Sequence, residues 1–595
     1  MSKILSHYKK PQTWALISLF LFFSWIFLVL TKGPDYKILV RTDPLAMINV
    51  LFPYFWVILA AFIAVCLVVF IQRGSPTWLH ILLLAQISLM LYYTPFLLGG
   101  FSWSPDSLWH GGVASYMPSI LSGSKKFSLT EYGQSYPVSF LITYGVERLF
   151  SINVFTYTLY IFPPICTALI SSLAYFFTSR ILDKRTAFLS MLFALPTLHY
   201  IEIHVSPFAT GTVLLLASLV LLTYKSAKAL AFSLLIILAA TLTHPISPIF
   251  LGIYLICVLI VNFLFGKNSM MLHSFGVSLK CFFKGKDLRT YYINSRIFIV
   301  PLMFLFLVDF WLYWTIYEAA PNYIGVDVPV SKILDLSFLT NLINTVEWTT
   351  GGQGFIYPRI SQLSLSIYGI FLVSIATIFL INLFKFLKNR KNVEISVPIR
   401  LTLTLTAIAS GVMSYLLFSS SGERFLLGRG LIFFLLMGSI CIATYIVGTN
   451  VKRPKIKIAI AFVFILFLFF TFPIISYSKE AYNTFTPSAD AGLKFLTNKI
   501  DLSHKTLSMT SDQQLASYVN LTKGLELIGF PPNLTYQKPD VVVLRINSYY
   551  LMSMRYDLSF TDNTYTKLRY NLTENQPYNH IYSNSEFDIY LRADK

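Results

Sequence analysis

The chain has 595 residues, of which 55% are hydrophobic and only 12% are charged, and its formal net charge is +19. Soluble proteins carry about 25% charged residues, so this composition excludes an ordinary soluble protein and indicates a membrane protein. The positive charge does not indicate nucleic-acid binding, because the basic residues cluster in short loops between apolar runs, as in cytoplasmic loops. The five cysteines suggest neither a disulfide framework nor a metal site.

Apolar runs long enough to cross a bilayer recur along most of the chain. A spanning helix needs about 20 mostly apolar residues. The predicted fold class is therefore a multi-pass α-helical membrane protein of about 13 transmembrane helices with a small C-terminal extracytoplasmic α/β domain. The predicted spans are 14–31, 50–71, 77–98, 153–178, 187–203, 208–224, 229–243, 246–265, 297–317, 364–384, 401–419, 430–448 and 458–477.

The distribution of lysine and arginine predicts the orientation of these spans. With the N-terminus inside, the inner segments hold 24 basic residues, whereas the outer loops before the last domain hold 10. Three Asn-x-Ser/Thr sequons, at Asn520, Asn533 and Asn571, all follow the last span, as expected of an exposed outer face. We therefore expect a plasma-membrane protein with a cytoplasmic N-terminus and an extracytoplasmic C-terminal domain.

The last 118 residues differ in character from the rest, because polar residues become frequent and no span follows. Thr506–Thr510, Val541–Ile546 and His580–Leu591 read as strands, the last interrupted by a turn at 583–585, and a capped helix is expected from Ser488. The chain thus divides into N-terminal transmembrane helices, an outer loop with interfacial helices, a transmembrane core and an extracytoplasmic α/β domain. Their predicted bounds are 1–98, 99–152, 153–477 and 478–595.

The outer loop 99–152 is too polar to span a bilayer and too apolar for an ordinary loop. Asp106 and His110 are four residues apart, so on a helix they share one face. Asp106 suits either a helix cap after a proline or a general base near the membrane surface. Three roles are open for His110: it could be structural, it could orient Asp106, or it could contact a substrate phosphate. From Tyr136 to Phe150 the apolar face of a helix suits the membrane interface.

Further polar candidates stand at span ends or inside a span. His244 occupies a sharp outer turn before a proline, and Glu202 and His204 lie two apart at another outer end, where a polar rim explains them equally well. Asp309 lies deep within a predicted span, where acids are rare and usually functional, although a hydrogen bond to a neighbouring span also explains one.

Three outer arginines could serve as phosphate ligands or as interfacial anchors. Arg424 and Arg429 open a span from the outer side, and Arg359 precedes another. The planar guanidinium binds phosphate through two parallel hydrogen bonds, and the same side chain also anchors span ends to bulk lipid headgroups.

This layout resembles the GT-C superfamily of membrane glycosyltransferases. The similar features are Asp106 in PDSLWH of a long outer loop, Tyr136-Pro137 later in that loop, the His-Pro turn of LTHPIS, and Arg424 in ERFLLGRG. The chain departs from the pattern because the acid follows the third predicted span rather than the first, and because no second acid stands beside Asp106. Whether the site binds a divalent metal ion is therefore left open, and no residue is assigned as a metal ligand.

The resemblance implies an inverting glycosyltransferase that moves a sugar from a polyprenyl-phosphate donor to a lipid, glycan or protein acceptor at the outer face, without a nucleic-acid partner. Asp106 would be the base; His110, His244, Arg424, Arg429 and Arg359 would bind substrate or phosphate; Tyr136, Glu202, His204 and Asp309 are further candidates. Two alternatives remain: a lipid-linked glycan polymerase or ligase, and a lipid or polysaccharide transporter or flippase, which would need polar residues along a path at mid-membrane.

Overall fold

A computed structural model defines the helical bundle and most of one β-sheet. The residues that it describes are 10–39, 46–72, 74–99, 106–122, 137–152, 156–198, 205–224, 226–244, 246–265, 299–312, 358–388, 396–421, 424–447, 454–477, 491–492, 495–496, 499–500, 506–509, 526–528, 540–545, 572, 578–583 and 587–592. All structural statements below concern these residues.

The described part of the chain is mostly helical. In chain order the helices are α1 Pro11–Leu39, α2 Ala46–Leu51, α3 Tyr54–Ile71, α4 Thr77–Tyr92, α5 Thr94–Gly99, α6 Asp106–Leu121, α7 Pro137–Phe150, α8 Phe162–Ile181, α9 Lys184–Ala194, α10 Pro207–Leu222, α11 Ala227–Thr241, α12 Ile246–Phe265, α13 Ile299–Leu312, α14 Pro358–Lys388, α15 Ser396–Ser421, α16 Arg424–Val447 and α17 Pro454–Tyr477.

Six of these helices, within the described residues, are long and apolar enough to cross a membrane, and four shorter ones are also apolar. This is the composition of a multi-pass membrane protein. The predicted count of thirteen spans stays a prediction. The six long stretches are Pro11–Tyr36, Tyr54–Ile71, Phe162–Ile181, Ser366–Phe384, Gly430–Val447 and Ala459–Ser476, and the shorter ones are Thr77–Tyr92, Pro207–Leu222, Ala227–Thr241 and Ile246–Val261.

Several predicted spans are divided in the structure. The span predicted at 77–98 is interrupted at Tyr93, between α4 and α5. The span predicted at 153–178 consists of a π-helical turn, Tyr157–Ile161, followed by α8. Prolines stand at or next to these breaks, at positions 95, 163 and 164, and a proline removes a helical N–H donor. Hydropathy alone does not register such breaks, because the residues on both sides are apolar.

The bundle has two ends that differ in the side chains they bring together. At one end Arg185 of α9 donates its Nε–H to the Phe70 carbonyl of α3 at 3.1 Å. At the other end the Tyr92 hydroxyl of α4 donates to the Leu195 carbonyl, just beyond α9. Helix α9 therefore runs from the first end to the second. We call the first the charged end, defined by Phe70, His80, Arg180, Asp183 to Arg185 and Tyr224. The second, which carries α6, α7, Phe208 and His244, is the site end.

The C-terminal strands form one five-stranded mixed sheet of order β2-β1-β3-β5-β4. Strands β1 and β2, and β1 and β3, pair in parallel, whereas β3 and β5, and β4 and β5, pair antiparallel. The predicted strand segments Thr506–Thr510 and Val541–Ile546 are β1 and β3, the interrupted segment His580–Leu591 is the pair β4 and β5, and β2 is an addition. Most of the helix predicted from Ser488 lies outside the described residues. The strand bounds are β1 Thr506–Met509, β2 Glu526–Ile528, β3 Val541–Arg545, β4 Tyr578–Ser583 and β5 Phe587–Arg592.

Candidate functional site

Helix α6 carries the acid and the histidine that the sequence singles out in the outer loop. It begins at Asp106, directly after a proline, and continues without a break to Leu121. Asp106 therefore occupies the first turn of the helix, where a carboxylate is favoured by the helix dipole. His110 follows one turn later. The side chain of Asp106 is outside the described part of the structure.

His110 is buried on the side of α6 that contacts α7. Its exposed fraction is 5%, and its ring lies against Phe140 of α7 with the centroids 5.9 Å apart and the planes tilted by 31°. The imidazole is therefore held between two helices of the outer loop. Such a position restricts its rotamers and keeps it out of bulk water.

Helix α7 has a polar inner face and an apolar outer face. Ser139, Phe140 and Thr143 are buried, and the Ser139 and Thr210 hydroxyl oxygens lie 3.0 Å apart, which joins α7 to α10. The outward residues include apolar side chains that are exposed, among them Leu149 and Phe150. An inward hydroxyl face and an outward apolar face suit a helix lying between protein and lipid, as predicted from the sequence.

His244 forms part of a buried turn between α11 and α12. Its Nδ1 accepts the backbone N–H of Ile246 at 3.2 Å, and its ring contacts Phe208 of α10 edge to face at 5.4 Å. Because a backbone N–H can only donate, Nδ1 is the acceptor, and the neutral imidazole carries its proton on Nε2. His244 therefore presents Nε2 as a hydrogen-bond donor.

The His244 turn rests directly on the backbone of α10. A Cβ built at Gly211 would stand 2.5 Å from Ser247 Oγ and 3.3 Å from His244 Cβ. Only glycine allows this approach without a shift of the turn. Ser247 Oγ is buried and has no hydrogen-bond partner within the described residues. The close contact fixes the position of His244 along the α10 axis relative to Thr210. Thr210 is the residue of α10 that contacts Ser139 of α7.

The start of α12 also contacts α16, the helix that begins at Arg424. Phe250 and Phe433 stack with their ring centroids 4.3 Å apart. Arg429 precedes Phe433 by four residues, or about 6 Å along the helix axis at 1.5 Å per residue. If α12 and α16 run in the same direction, as alternating spans require, Arg429 lies at the level of the His244 turn.

The structure thus links His110 to His244 through α7 and α10, and it brings the start of α12 to α16. It does not describe the side chains of the other predicted site residues, so their roles remain predictions. Asp106, Asp309, Arg359, Arg424 and Arg429 lie on α6, α13, α14 and α16 with their side chains outside the described part, and Tyr136, Glu202 and His204 lie outside it altogether. Within the described residues no three His, Cys, Asp or Glu side chains are grouped as metal ligands.

Sequence reasoning missed the residues that join these helices. Ser139 and Thr210 are small hydroxyl residues without a motif. The available signal was that Ser139 and Thr143 share one face of their helix. The π-helical turn was also missed. It contacts α6 and α7, and its Tyr160 carbonyl accepts the Tyr93 hydroxyl at 3.1 Å. Turns of this kind are frequent at functional sites.

The groups that the structure brings together at the site end are these. The helix that begins with a carboxylate carries a buried histidine, a second histidine has its donor at Nε2, and α7 exposes apolar side chains on its outer face. Buried hydroxyls rather than charges hold the helices together here, so the site end contributes few fixed charges of its own within the described residues.

No protein-family model matches the sequence, and no curated protein matches it either. Among solved structures, the chain is similar to the Archaeoglobus fulgidus oligosaccharyltransferase tethered to an acceptor peptide, at 13% identity over 88% of this chain and 74% of that one, with a TM-score of 0.45. It is similar to the archaeal oligosaccharyltransferase AglB from Archaeoglobus fulgidus in complex with an inhibitory peptide and a dolichol-phosphate, at 12% identity over 87% of this chain and 74% of that one, with a TM-score of 0.41. It is also similar to ArnT from Cupriavidus metallidurans bound to undecaprenyl phosphate, at 11% identity over 90% and 97%, with a TM-score of 0.43.

Proposed function

We propose that this protein transfers a sugar from a polyprenyl-phosphate-linked donor to a hydroxyl or amide acceptor at the site end of the bundle. The observation that carries the proposal is the packing of α6 on α7 and of α7 on α10. The helix that begins at Asp106 carries the buried His110, whose ring lies against Phe140 of α7, and α7 in turn meets α10, the helix that contacts His244. The apolar outer face of α7 supplies contact with a lipid donor. The acceptor type is left at this level.

In the proposed reaction Asp106 accepts the proton of the acceptor nucleophile. The nucleophile attacks C1 of the sugar, the new C1–O or C1–N bond forms, and the C1–O bond to the phosphate breaks. The bonding electron pair leaves with the phosphate oxygen, and attack from the face opposite the phosphate inverts C1. The products are the glycosylated acceptor, the polyprenyl phosphate and a protonated Asp106, which returns its proton to water.

The departing phosphate gains negative charge as the bond to C1 breaks. In this proposal Arg424, Arg429 and Arg359 bind that phosphate, and the Nε2–H of His244 adds a neutral donor. Donors that are already oriented stabilise the growing charge more than water does, because no dipole must reorient during the reaction. His110 positions α6 against α7, or orients the carboxylate one turn away.

Replacement of Asp106 by asparagine tests this mechanism. Asparagine is nearly as good as aspartate at a helix start, but its amide accepts no proton at neutral pH. Loss of a general base costs roughly 10² to 10⁴-fold, or about 3–5 kcal/mol of barrier. We expect kcat to fall by that factor with purified donor lipid while Tm and donor binding stay near wild type.

The matched control is Asp183→Asn at the charged end, which changes a carboxylate that starts another helix. It should leave kcat unchanged. Wild-type activity of folded Asp106→Asn would remove Asp106 from the mechanism and transfer the role to Asp309 or Glu202. Transport of labelled donor lipid across vesicles with no transfer product would instead support the flippase alternative.

We also propose that the N-terminus is cytoplasmic and that residues 478–595 form an extracytoplasmic domain. The support is the charge bias and the sequons of the sequence, together with the mixed sheet after α17. A cysteine at Ser503 in a Cys281→Ser background should react with a membrane-impermeant maleimide in intact cells, and a cysteine at the exposed Lys184 should react only after permeabilisation. The other four cysteines are buried and should stay silent. The reverse labelling pattern would invert the topology.

A further inference from the structure

The charged end of the bundle concentrates basic side chains in the connection between α8 and α9. Arg180 lies in the last turn of α8, and Lys184 and Arg185 open α9. The acid between them is engaged: the Asp183 carboxylate accepts the backbone N–H groups of Arg185 and Thr186, each at 2.9 Å, and the Thr186 hydroxyl at 2.6 Å. Asp183 therefore caps α9, and within the described residues neither Arg180 nor Lys184 forms an ion pair.

Arg180 lies over an aromatic ring. Its guanidinium carbon lies 4.2 Å from the centroid of Tyr224, a residue that follows α10 and is 43% exposed. Its Nε is buried and has no hydrogen-bond partner within the described residues. Arg185 is used differently, since its Nε–H binds the Phe70 carbonyl at the end of α3. The guanidinium of Arg180 is thus placed over the Tyr224 ring, and its Nε has no hydrogen-bond partner within the described residues.

The face of α8 that leads to Arg180 is directed outward from the bundle. Ile165 and Leu169 are exposed, and Leu173 and Phe176 are partly exposed. With Arg180 these residues follow spacings of four, four, three and four, which place them along one face of the helix. Arg180 lies eleven residues beyond Leu169, or about 16 Å along the axis. That length is close to half of the hydrocarbon core, which is about 30 Å thick.

We propose that this face of α8 binds one anionic phospholipid, with an acyl chain along the apolar stripe and the headgroup phosphate at Arg180 and Lys184. The stripe matches the length of an acyl chain from mid-membrane to the headgroup level. The guanidinium plane offers two parallel donors to phosphate oxygens, and Lys184 adds a charge that favours a headgroup of net negative charge. The ring of Tyr224 keeps the guanidinium in place. This site is at the opposite end of the bundle from the proposed transfer site.

Lipid retention by purified variants tests the proposal without reference to transfer activity. The full-length protein is purified in detergent, incubated with equimolar phosphatidylglycerol and phosphatidylcholine of matched chains, and examined by native mass spectrometry. We expect wild type to retain one phosphatidylglycerol preferentially. A basic residue near a headgroup contributes roughly fivefold in affinity, so Arg180→Gln should reduce the preference at least fivefold and Lys184→Gln two- to fivefold. Arg180→Lys should restore part of it.

The matched control is Lys228→Gln, which removes an exposed cation in the first turn of a different helix, α11. It should leave the retained lipid unchanged. Equal retention by wild type and Arg180→Gln would overturn the proposal, as would an equal loss in Lys228→Gln, since that result indicates general attraction to a basic surface. If Arg180→Gln does not fold, Lys184→Gln against Lys228→Gln decides, and no difference between them overturns the site.

Discussion

The two ends of the bundle each contain a buried histidine, and the two histidines are used in different ways. At the charged end, His80 Nδ1 lies 2.9 Å from the Tyr175 hydroxyl, and its ring stacks on Phe188 with the centroids 4.5 Å apart. The three residues belong to three different helices, α4, α8 and α9. At the site end, His244 lies in a turn, and its Nδ1 is occupied by the backbone of its own turn. The first histidine ties helices together, whereas the second is fixed locally with Nε2 as a donor.

The two histidines also have different kinds of side chains around them. The charged end uses ionic and aromatic groups at helix termini, such as Arg185 against Phe70 and Asp183 at the start of α9. The site end uses small hydroxyls between helices, as in Ser139 and Thr210. Contacts of the first kind stabilise helix ends, whether or not a ligand is bound. Contacts of the second kind join helices without adding a charge at the end where we propose that the substrate binds.

The largest difference between the ends should appear when the two histidines are replaced. His244→Asn keeps an acceptor for the Ile246 N–H and removes the Nε2–H donor. Loss of one donor to a developing charge costs on the order of 10²-fold in kcat, and His244→Gln should recover part of it.

His80→Asn is the paired change at the charged end. It should lower Tm through the lost contact with Tyr175, about 1 kcal/mol for a hydrogen bond, and leave kcat per folded protein unchanged. Equal losses of kcat in the two variants would show that the ends do not differ in this way. Steady-state assays beside thermal melts of the same preparations separate the two effects.

A glycine near the start of α16 gives the next largest effect. A Cβ at Gly430 would stand within 2.0 Å of Ser414 Oγ and 3.0 Å of the Ser414 Cα, so Gly430→Ala forces α15 and α16 apart. Overpacking costs typically about 1–3 kcal/mol, and here it also displaces the turn of α16 that carries Arg429. Tm and donor-lipid affinity should both fall.

Gly369→Ala on α14 is the control for that change, because a Cβ there meets nothing within 4 Å. It should melt at or slightly above the wild-type temperature, since alanine favours a helix over glycine. A Gly430→Ala protein that melts like Gly369→Ala would contradict the close approach of α15 and α16.

The smallest expected effect concerns the hydroxyl pair that docks α7. A double-mutant cycle of Ser139→Ala and Thr210→Ala should give a coupling of about 0.6 kcal/mol, the average for such pairs within membranes. The control cycle pairs Ser139→Ala with Thr212→Ala, whose hydroxyl donates to the Phe208 carbonyl of its own helix. That cycle should be additive. A coupling near zero in the first cycle would mean that Phe140 and Thr143, and not the hydroxyl pair, hold α7 in place.

Much of the architecture was predictable from the sequence because bilayer thickness and strand pairing act on local patterns. The helix predicted at 136–150 is α7, Pro137–Phe150, and the strand predicted at Val541–Ile546 is β3, Val541–Arg545. The position of α7 in the membrane interface stays a prediction. Each prediction used a periodicity that the buried or lipid-facing surface imposes on neighbouring residues. Strand β2 was not predicted, because three residues are too few to show the alternation of apolar and polar side chains that marks a strand.

The candidate site was less accessible to the same reasoning. His110 and His244 were singled out for their unusual surroundings in the sequence, but nothing there indicated that Phe140 and Phe208 would be their neighbours. Ser139, Thr210 and Gly211 carry no motif. Their importance depends on a contact between helices that are about 70 residues apart in the chain.

The sequence by itself determined that this is a multi-pass membrane chain, where its lysines and arginines collect, and where its strands form, since solvent and bilayer act on every residue through local hydropathy and charge. Only the tertiary structure decided which span faces which, that the His244 turn rests on Gly211, and that α7 joins α6 to α10. In a membrane both the buried and the lipid-facing sides of a span are apolar, so the periodicity that reveals a soluble core is largely lost. Which helices pack against each other then depends on close packing and a few hydroxyl contacts, and these cannot be read from the order of residues.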